Sequence, residues 1–487
     1  MSPRCKRRVG IAAGVYAAAI LLAAPGSADA HALSARADLP IPAWLFAWGA
    51  SLVLIVSFAA LSVAWHRSRF GEEHWHPASE RASRLLVNPV TRLLAALIGA
   101  LLLVLTIATA LNGTAAPDRN FSLTFVFVTV WLGGVMASVL FGDVFRAFNP
   151  WAAFARGIAG VFRLAAGQPG QPLLHYPERL GRWPAVGGLL GFGWIELVYS
   201  QSGFQAVGLV PHSVGIAILV YSAWTFVAMG LFGIDVWLDR GETFSVYFGM
   251  FSRLSAVEVR YGRLGLRKPF AAATRWASVP GSVALVLATI GITAFDGAQE
   301  GLLQTPIVDT TNKLIDAGLG PLVAHRLAES VYLAAMVGAI GALYWFGIVG
   351  MHTVRGPLDT KALGRTFAHT FIPIALAYLT AHYFSLVVFQ EQAQFTYLLS
   401  DPFGTGHDYF GTASGGIDYG LIGARAIWYV QVGALVAGHV TALVLAHDRA
   451  ISLYGDSRRA ARSQYWMLAL MVGFTTLGLF LLSQANQ

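Results

Sequence analysis

The sequence predicts an all-α protein, a polytopic transmembrane helix bundle of about ten helices behind a cleaved signal peptide. Three observations predict it. Only 12% of the 487 residues are charged and the mean hydropathy is +0.60, whereas about a quarter of a soluble domain is charged. Apolar stretches of roughly 20 residues, enough for a helix to cross the hydrocarbon core, recur along the chain. Charge then orients them. With connections alternating inside and outside, 24 of the 33 Lys and Arg fall inside; five fall outside, Arg36, Arg119, Lys313, Arg326 and Arg425. Cytoplasmic loops are where basic residues collect.

The chain opens with basic Arg4, Lys6, Arg7 and Arg8, an apolar run over 11–24, and Ala28-Asp29-Ala30 as a small-x-small cleavage site. That pattern makes 1–30 a signal peptide and 31–487 a single membrane domain. Cleavage exposes His31, whose amine and imidazole together chelate Cu(II), unless it is an ordinary mature end. Membrane segments are expected near 41–64, 91–112, 121–141, 183–200, 211–234, 275–295, 327–352, 366–389, 423–446 and 463–483. A cleaved signal and ten crossings leave both mature ends outside the cytoplasmic membrane.

Two inner connections look alike. Phe145, Phe148 and Trp151 follow the third segment, and Phe244, Tyr247, Phe248 and Phe251 follow the fifth. Each set occupies one helical face, which predicts amphipathic helices at the interface. Outside, the connectors near 296–326 and 390–422 are long, acidic and rich in aromatics, unlike simple linkers. The pairs Gly338/Gly341, Gly347/Gly350 and Gly433/Gly438 predict close helix packing.

Composition excludes several functions. The +8 net charge is dispersed through short connections, so it points to topology and not to nucleic acid. The only cysteine, Cys5, precedes the cleavage site. Disulfides, thiolate metal sites and covalent haem are therefore not expected in the mature chain. Neither a Walker A pattern nor a dinucleotide fingerprint is present.

The polar residues inside apolar segments carry the chemical signal, because such groups are costly without partners. The segment 366–390 holds His369, Tyr378 and His382, its two histidines about 20 Å apart along a helix. The outer half of the bundle also receives Glu196, His212, Asp296 and Glu329; the inner half receives His352, His369, His439, His447 and Asp448. Glu196 and His382 are expected to approach each other, with His212, Asp296, Glu329 and Tyr378 completing a pocket. Such a pocket could hold a divalent metal such as Zn²⁺, with Glu196 and His382 as ligands, and lower the pKa of bound water. The plainer reading is a hydrogen bond that fixes helix register. Asp401, His407 and Asp408 are the reserve site. Haem on His369 and His439 is not expected, for want of a matching histidine pair.

Six segments together resemble the bacterial integral-membrane fenitrothion hydrolases: ADLPIPAWLFAWGASLVLIVSF (37–58), FGDVFRAFNPW (141–151), GETFSVYFG (241–249), FDGAQEGLLQTP (295–306), AHYFSLVVFQ (381–390) and IWYVQVGALVAGHVTALVLAHDRA (427–450). The resemblance covers most of the mature chain. It implies hydrolysis of the P–O–aryl bond of an organophosphorus triester and brings no catalytic residues with it; the matching functional reading is a membrane-embedded hydrolase whose small apolar substrate arrives through the lipid bilayer. From architecture alone a transporter or a copper- or metal-handling protein is the alternative, and a haem-bearing electron carrier a third.

Overall fold

The computed structural model describes residues 43–70, 75–167, 171–199, 210–299, 301–354 and 356–485, and helices lie on each long apolar stretch among these residues. The signal peptide and His31 lie outside the described residues. The helices are α1 (Ala43–Ala64), α2 (Pro89–Asn112), α3 (Phe121–Phe141), α4 (Pro150–Ala166), α5 (Trp183–Trp194), α6 (Pro211–Phe232), α7 (Thr243–Phe251), α8 (Ser282–Gln299), α9 (Gln304–Asp316), α10 (Pro321–His352), α11 (Ile372–Phe395), α12 (Ala424–Tyr454) and α13 (Tyr465–Ala485). Among the described residues, seven spans are long and apolar enough to cross a membrane; an eighth arises if the 44° bend between Ser457–Ser463 and Tyr465–Phe480 lies within one span. The lipid face is explicit on α2, where Leu93, Leu94, Leu97, Leu101 and Val104 are exposed. Such a continuous apolar surface has no place in water.

The bundle is built around α8. Its span is 83% buried, far more than that of any other spanning helix, and it packs against α5, α10, α11 and α13. A helix apolar on every side belongs in such a position. Close approach depends on small residues: a Cβ on Gly291 of α8 would lie 2.8 Å from the Val337 Cα of α10. Between α11 and α12, a Cβ on Gly438 would sit 2.2 Å from Ala377 Cβ and 2.7 Å from the Pro373 carbonyl, a contact only glycine allows. Gly347 and Gly350 likewise meet Leu470 and Trp466, whereas Gly338, Gly341 and Gly433 face open space. A sequence pattern of small residues does not say which of them meets a neighbour.

Boundaries move in ways that matter. α8 starts at Ser282, not 275, because Ala271–Arg275 is a 3-10 turn and a bend at Pro280-Gly281 follows, with Gly281 at φ +84°. It runs on to Gln299, so Asp296 lies within it rather than after it. α10 begins at Pro321, which puts Glu329 two turns inside. The connector expected near 296–326 is mostly helix: α9 turns Ile307 and Thr311 inward. In the other connector, α11 continues to Phe395 and a short turn spans Tyr397–Ser400. The single helix expected over 366–389 is broken. Thr360–Phe367 is helical, Ala368–Phe371 is a 3-10 turn, and α11 follows. Pro373 is the cause, since it lacks the N–H that would continue the ladder through His369.

The end formed by the basic connections carries a small antiparallel sheet that the sequence did not suggest. Strands β1 (Trp75–Pro77), β2 (Val257–Arg260) and β3 (Arg263–Arg267) pair in the order β1-β3-β2. Glu258 binds Arg260 at 2.7 Å and Arg267 at 2.8 Å. Burial pushes its carboxyl up, but these arginines outweigh burial and hold it below the ordinary value.

At the same end α4 behaves as an amphipathic surface helix, exposing Phe154, Ile158, Val161 and Phe162, although of the face expected there only Phe148 is exposed: Trp151 is buried and Phe145 packs on Phe248. The matching helix α7 does not. Tyr247, Phe248 and Phe251 are fully buried, so this aromatic face belongs to the core and not to the interface. Its anchor is Glu242, which caps α7 through the amides of Phe244 and Ser245. Glu242 also accepts from Tyr221 Oη at 2.5 Å and from Asn149 Nδ2 at 3.0 Å. Asn149 in turn caps α4. The two look-alike connections thus meet cap to cap. Asp448 of α12 makes a comparable knot with Trp65 Nε1, Ser68 Oγ and the amides of Arg69 and Phe70.

Candidate functional site

Two of the helices contain π-helical winding. α3 is π-helical over Phe125–Gly133, and α5 continues as a π-helix over Ile195–Tyr199. π segments widen the helix and are frequent at functional sites. The first carries Thr129 and Trp131, and the second carries Glu196. Both lie near the last turn of α8 and the middle of α11.

There the structure builds one hydrogen-bonded centre. Asp296 Oδ2 lies 2.8 Å from His382 Nε2 and accepts from Tyr383 Oη at 2.6 Å. Its other oxygen, Oδ1, accepts from Gln299 Nε2 at 2.9 Å, one turn along the same helix. The side chains of Asp296 and His382 are 16% and 18% exposed, so the bundle encloses the pair only in part. Glu196 is within electrostatic range of Asp296, Tyr247 and Tyr383, with its Oε2 buried. Tyr247 Oη accepts from Trp131 Nε1 at 3.0 Å. The Trp131 ring also packs on Tyr383 at 5.4 Å and on Phe192 at 5.1 Å.

The other expected pocket residues sit elsewhere. Glu329 pairs with His325 at 3.1 Å, one turn back on α10. His212 is exposed in the first turn of α6, a helix that packs mainly on α2. Tyr378 is buried against Gly478 of α13, one turn from His382. The partner that His382 finds is therefore Asp296, with Glu196 in the surrounding field. The reserve residues are occupied by their own loop: Asp408 accepts from Ser400 Oγ and the amides of Gly411 and Thr412, and Asp401 from those of Thr405 and Gly406. His407 is exposed. Of the inner histidines, His439 gives Nδ1 to the Leu435 carbonyl of its own helix at 2.8 Å, and His369 lies in the 3-10 turn. No group of three or more His, Cys, Asp or Glu suited to a metal ion occurs among the described residues.

Tyr383, Gln299 and Trp131 were not singled out in the sequence, and Tyr247 was, but only as part of an interfacial aromatic face. Gln299 had a local signal, an amide three residues from an intramembrane Asp and thus on one helical face. Tyr383 adjoins His382, but consecutive helical residues usually point apart, so nothing local joins them.

Beside this centre lies an almost wholly apolar cavity of about 700 Å³. Its walls include Thr129, Phe145, Trp151, Phe192, Ile195 and Phe244. Val220 and Trp224, which also line it, are exposed on the lipid-facing side of α6. The cavity therefore opens sideways, towards the bilayer. The polar centre is not part of its lining; Phe192 and Trp131 stand between them.

No family model, curated protein or solved structure matches the chain. The functional reading thus rests on the site and on the sequence resemblance.

Proposed function

We propose that the protein is a multi-pass enzyme of the bacterial cytoplasmic membrane that hydrolyses apolar organophosphorus triesters at the Asp296–His382 centre. The observation that carries this reading is a partly exposed His–Asp pair beside a cavity open to lipid. With Nε2–H directed at Asp296, the His382 ring keeps Nδ1 free to take a proton. In the proposed step His382 Nδ1 accepts a proton from water as its oxygen attacks phosphorus. The P–O–aryl bond breaks, and the aryl oxide leaves with the bonding pair. Asp296, held by Tyr383 and Gln299, orients the ring and balances the imidazolium, the part a carboxylate plays beside a general-base histidine. The triester would enter through the lateral cavity, with Phe192 and Trp131 as the last barrier. Purified protein in nanodiscs should release nitrophenolate from a nitrophenyl phosphotriester in proportion to protein. Phe192→Trp, which narrows the route, should raise KM severalfold with little change in kcat. No release above a protein-free control would overturn the hydrolytic reading.

The proposed arrangement has ten crossings and both mature ends outside, supported by the bias of Lys and Arg to one set of connections. It puts the Asp296–His382 centre in the outer half of the membrane. A periplasm-active reporter after Gln487 and a cytoplasm-active reporter after Arg355 should both give signal; silence from both would contradict the orientation.

The alternative is proton-coupled transport. It draws support from two further acids, Glu391 bound to Thr129 Oγ1 at 3.0 Å and Glu329 bound to His325. Uptake of a solute into proteoliposomes driven by a pH gradient, without chemical change of that solute, would favour it.

A further inference from the structure

A small polar cavity lies at the opposite end of the same two central helices. Arg182 immediately precedes α5, and its Nη1 bonds Ser282 Oγ at the start of α8 at 2.7 Å. Glu196 and Asp296 lie near the far ends of those two segments, 14 residues on in each case, which is roughly 20 Å away. The two sites are therefore separate.

This cavity is small, about 50 Å³, and is lined by Asp143, Arg146, Arg182, Asp239, Ser245 and Arg253 among others. Arg182 forms its floor and is only 8% exposed. Its Nη1 also reaches the Ala277 carbonyl at 2.6 Å, and its guanidinium lies over the Trp276 ring at 4.5 Å. Those contacts fix the group in place. Its Nε, however, is buried with no hydrogen-bond partner among the described residues, and the same holds for Arg253 Nε. At the rim Arg146 is exposed and pairs with Asp239 at 3.0 Å, which removes one cation and one acid from the local balance. Among the lining residues Arg182 and Arg253 then face Asp143, one positive charge in excess within the cavity wall; Glu258 and Asp239 act on Arg253 from outside that balance, with Arg275 opposing them. Burial, together with Arg253 and Arg240, pulls the Arg182 guanidinium down to about 10. Two rigidly placed arginines that repel each other and leave N–H groups unused are costly unless an anion joins them.

We infer that this cavity, with Arg182 and Arg253 as donors and Ser245 beside them, is a binding site for a phosphate-class oxyanion. Planar guanidinium forks match tetrahedral oxyanions. The volume admits one such group and excludes a nucleotide. The amphipathic helix α4, with its exposed Phe154 and Ile158, lies at the same end of the bundle, so the cavity sits at headgroup level. The oxyanion can therefore be free phosphate or the phosphodiester of an anionic lipid. The site does not depend on hydrolysis at Asp296–His382.

The test uses the full mature chain and follows its thermal unfolding midpoint by tryptophan fluorescence. One arm titrates inorganic phosphate in detergent against chloride at equal ionic strength. The other compares nanodiscs of phosphatidylcholine with and without phosphatidylglycerol. The wild type should show a saturable rise in at least one arm. A response to phosphate alone assigns the free ion, a response to phosphatidylglycerol alone assigns the headgroup, and both together assign the shared group. Arg182→Gln should abolish the response. Because Arg182 also ties α5 to α8, Arg253→Gln, which breaks no such tie, serves as the second variant and should weaken apparent affinity at least tenfold. The absence of any saturable rise, or a response unchanged in Arg253→Gln, would overturn the site.

Discussion

Asp296→Asn and His382→Ala are each expected to lower hydrolysis of an aryl phosphotriester by about 10²–10⁴-fold, the usual span of a general acid–base contribution. Both variants should still insert and give a monodisperse peak on size exclusion. The causes differ. His382→Ala removes the base itself. Asp296→Asn keeps the volume but places an amide opposite His382 Nε2, so the ring is no longer held with Nδ1 as its free nitrogen. Tyr383→Phe removes one of the three donors to Asp296 and should cost less, about tenfold, since a hydrogen bond to a charged group is worth about 1.5–3 kcal/mol. Initial rates at saturating substrate check the order. Wild-type rates in Asp296→Asn would remove Asp296 from the chemistry.

Glu242→Ala is expected to be the most destabilising single change away from the centre, on the order of 3 kcal/mol or more. Glu242 is fully buried and accepts from Tyr221, Asn149 and the amides of Phe244 and Ser245. Its loss strands four donors where water does not replace the acceptor. It also uncaps α7, the helix whose Tyr247 bonds Trp131 beside the Asp296–His382 centre. Activity should therefore fall with stability. Thermal unfolding in detergent reads the effect, and Glu242→Gln, which keeps part of the cap, should be milder.

The architecture was largely legible in the sequence, because a membrane helix is encoded locally: each needs a run of apolar residues, and α2, α6 and α12 lie close to their expected positions. Local physics also explains most of the shifts. Pro373 breaks the stretch around His369, and Pro280-Gly281 delays α8. The buried fate of α7 was not legible. Its aromatic face looks like that of the α3–α4 connection, and only the tertiary partners of Glu242 decide that it packs inward. The site was legible as a set of costly polar groups at matching depth. Pairing was not, because two residues 86 positions apart, Asp296 and His382, meet only through the crossing of α8 and α11. Depth alone also admitted His212 and Glu329, and rotation about each helix axis sends them elsewhere.

The central claim is that Asp296 and His382 act as one catalytic unit. A double-mutant cycle on hydrolysis measures this most directly, with Asp296→Asn, His382→Ala and the double variant compared in nanodiscs at equal folded protein. Groups that act as a unit are strongly non-additive. The double variant should therefore be no slower than His382→Ala, within about twofold. Losses that multiply, with the double variant slower by the product of the two single effects, would show that the residues act independently and would contradict the account.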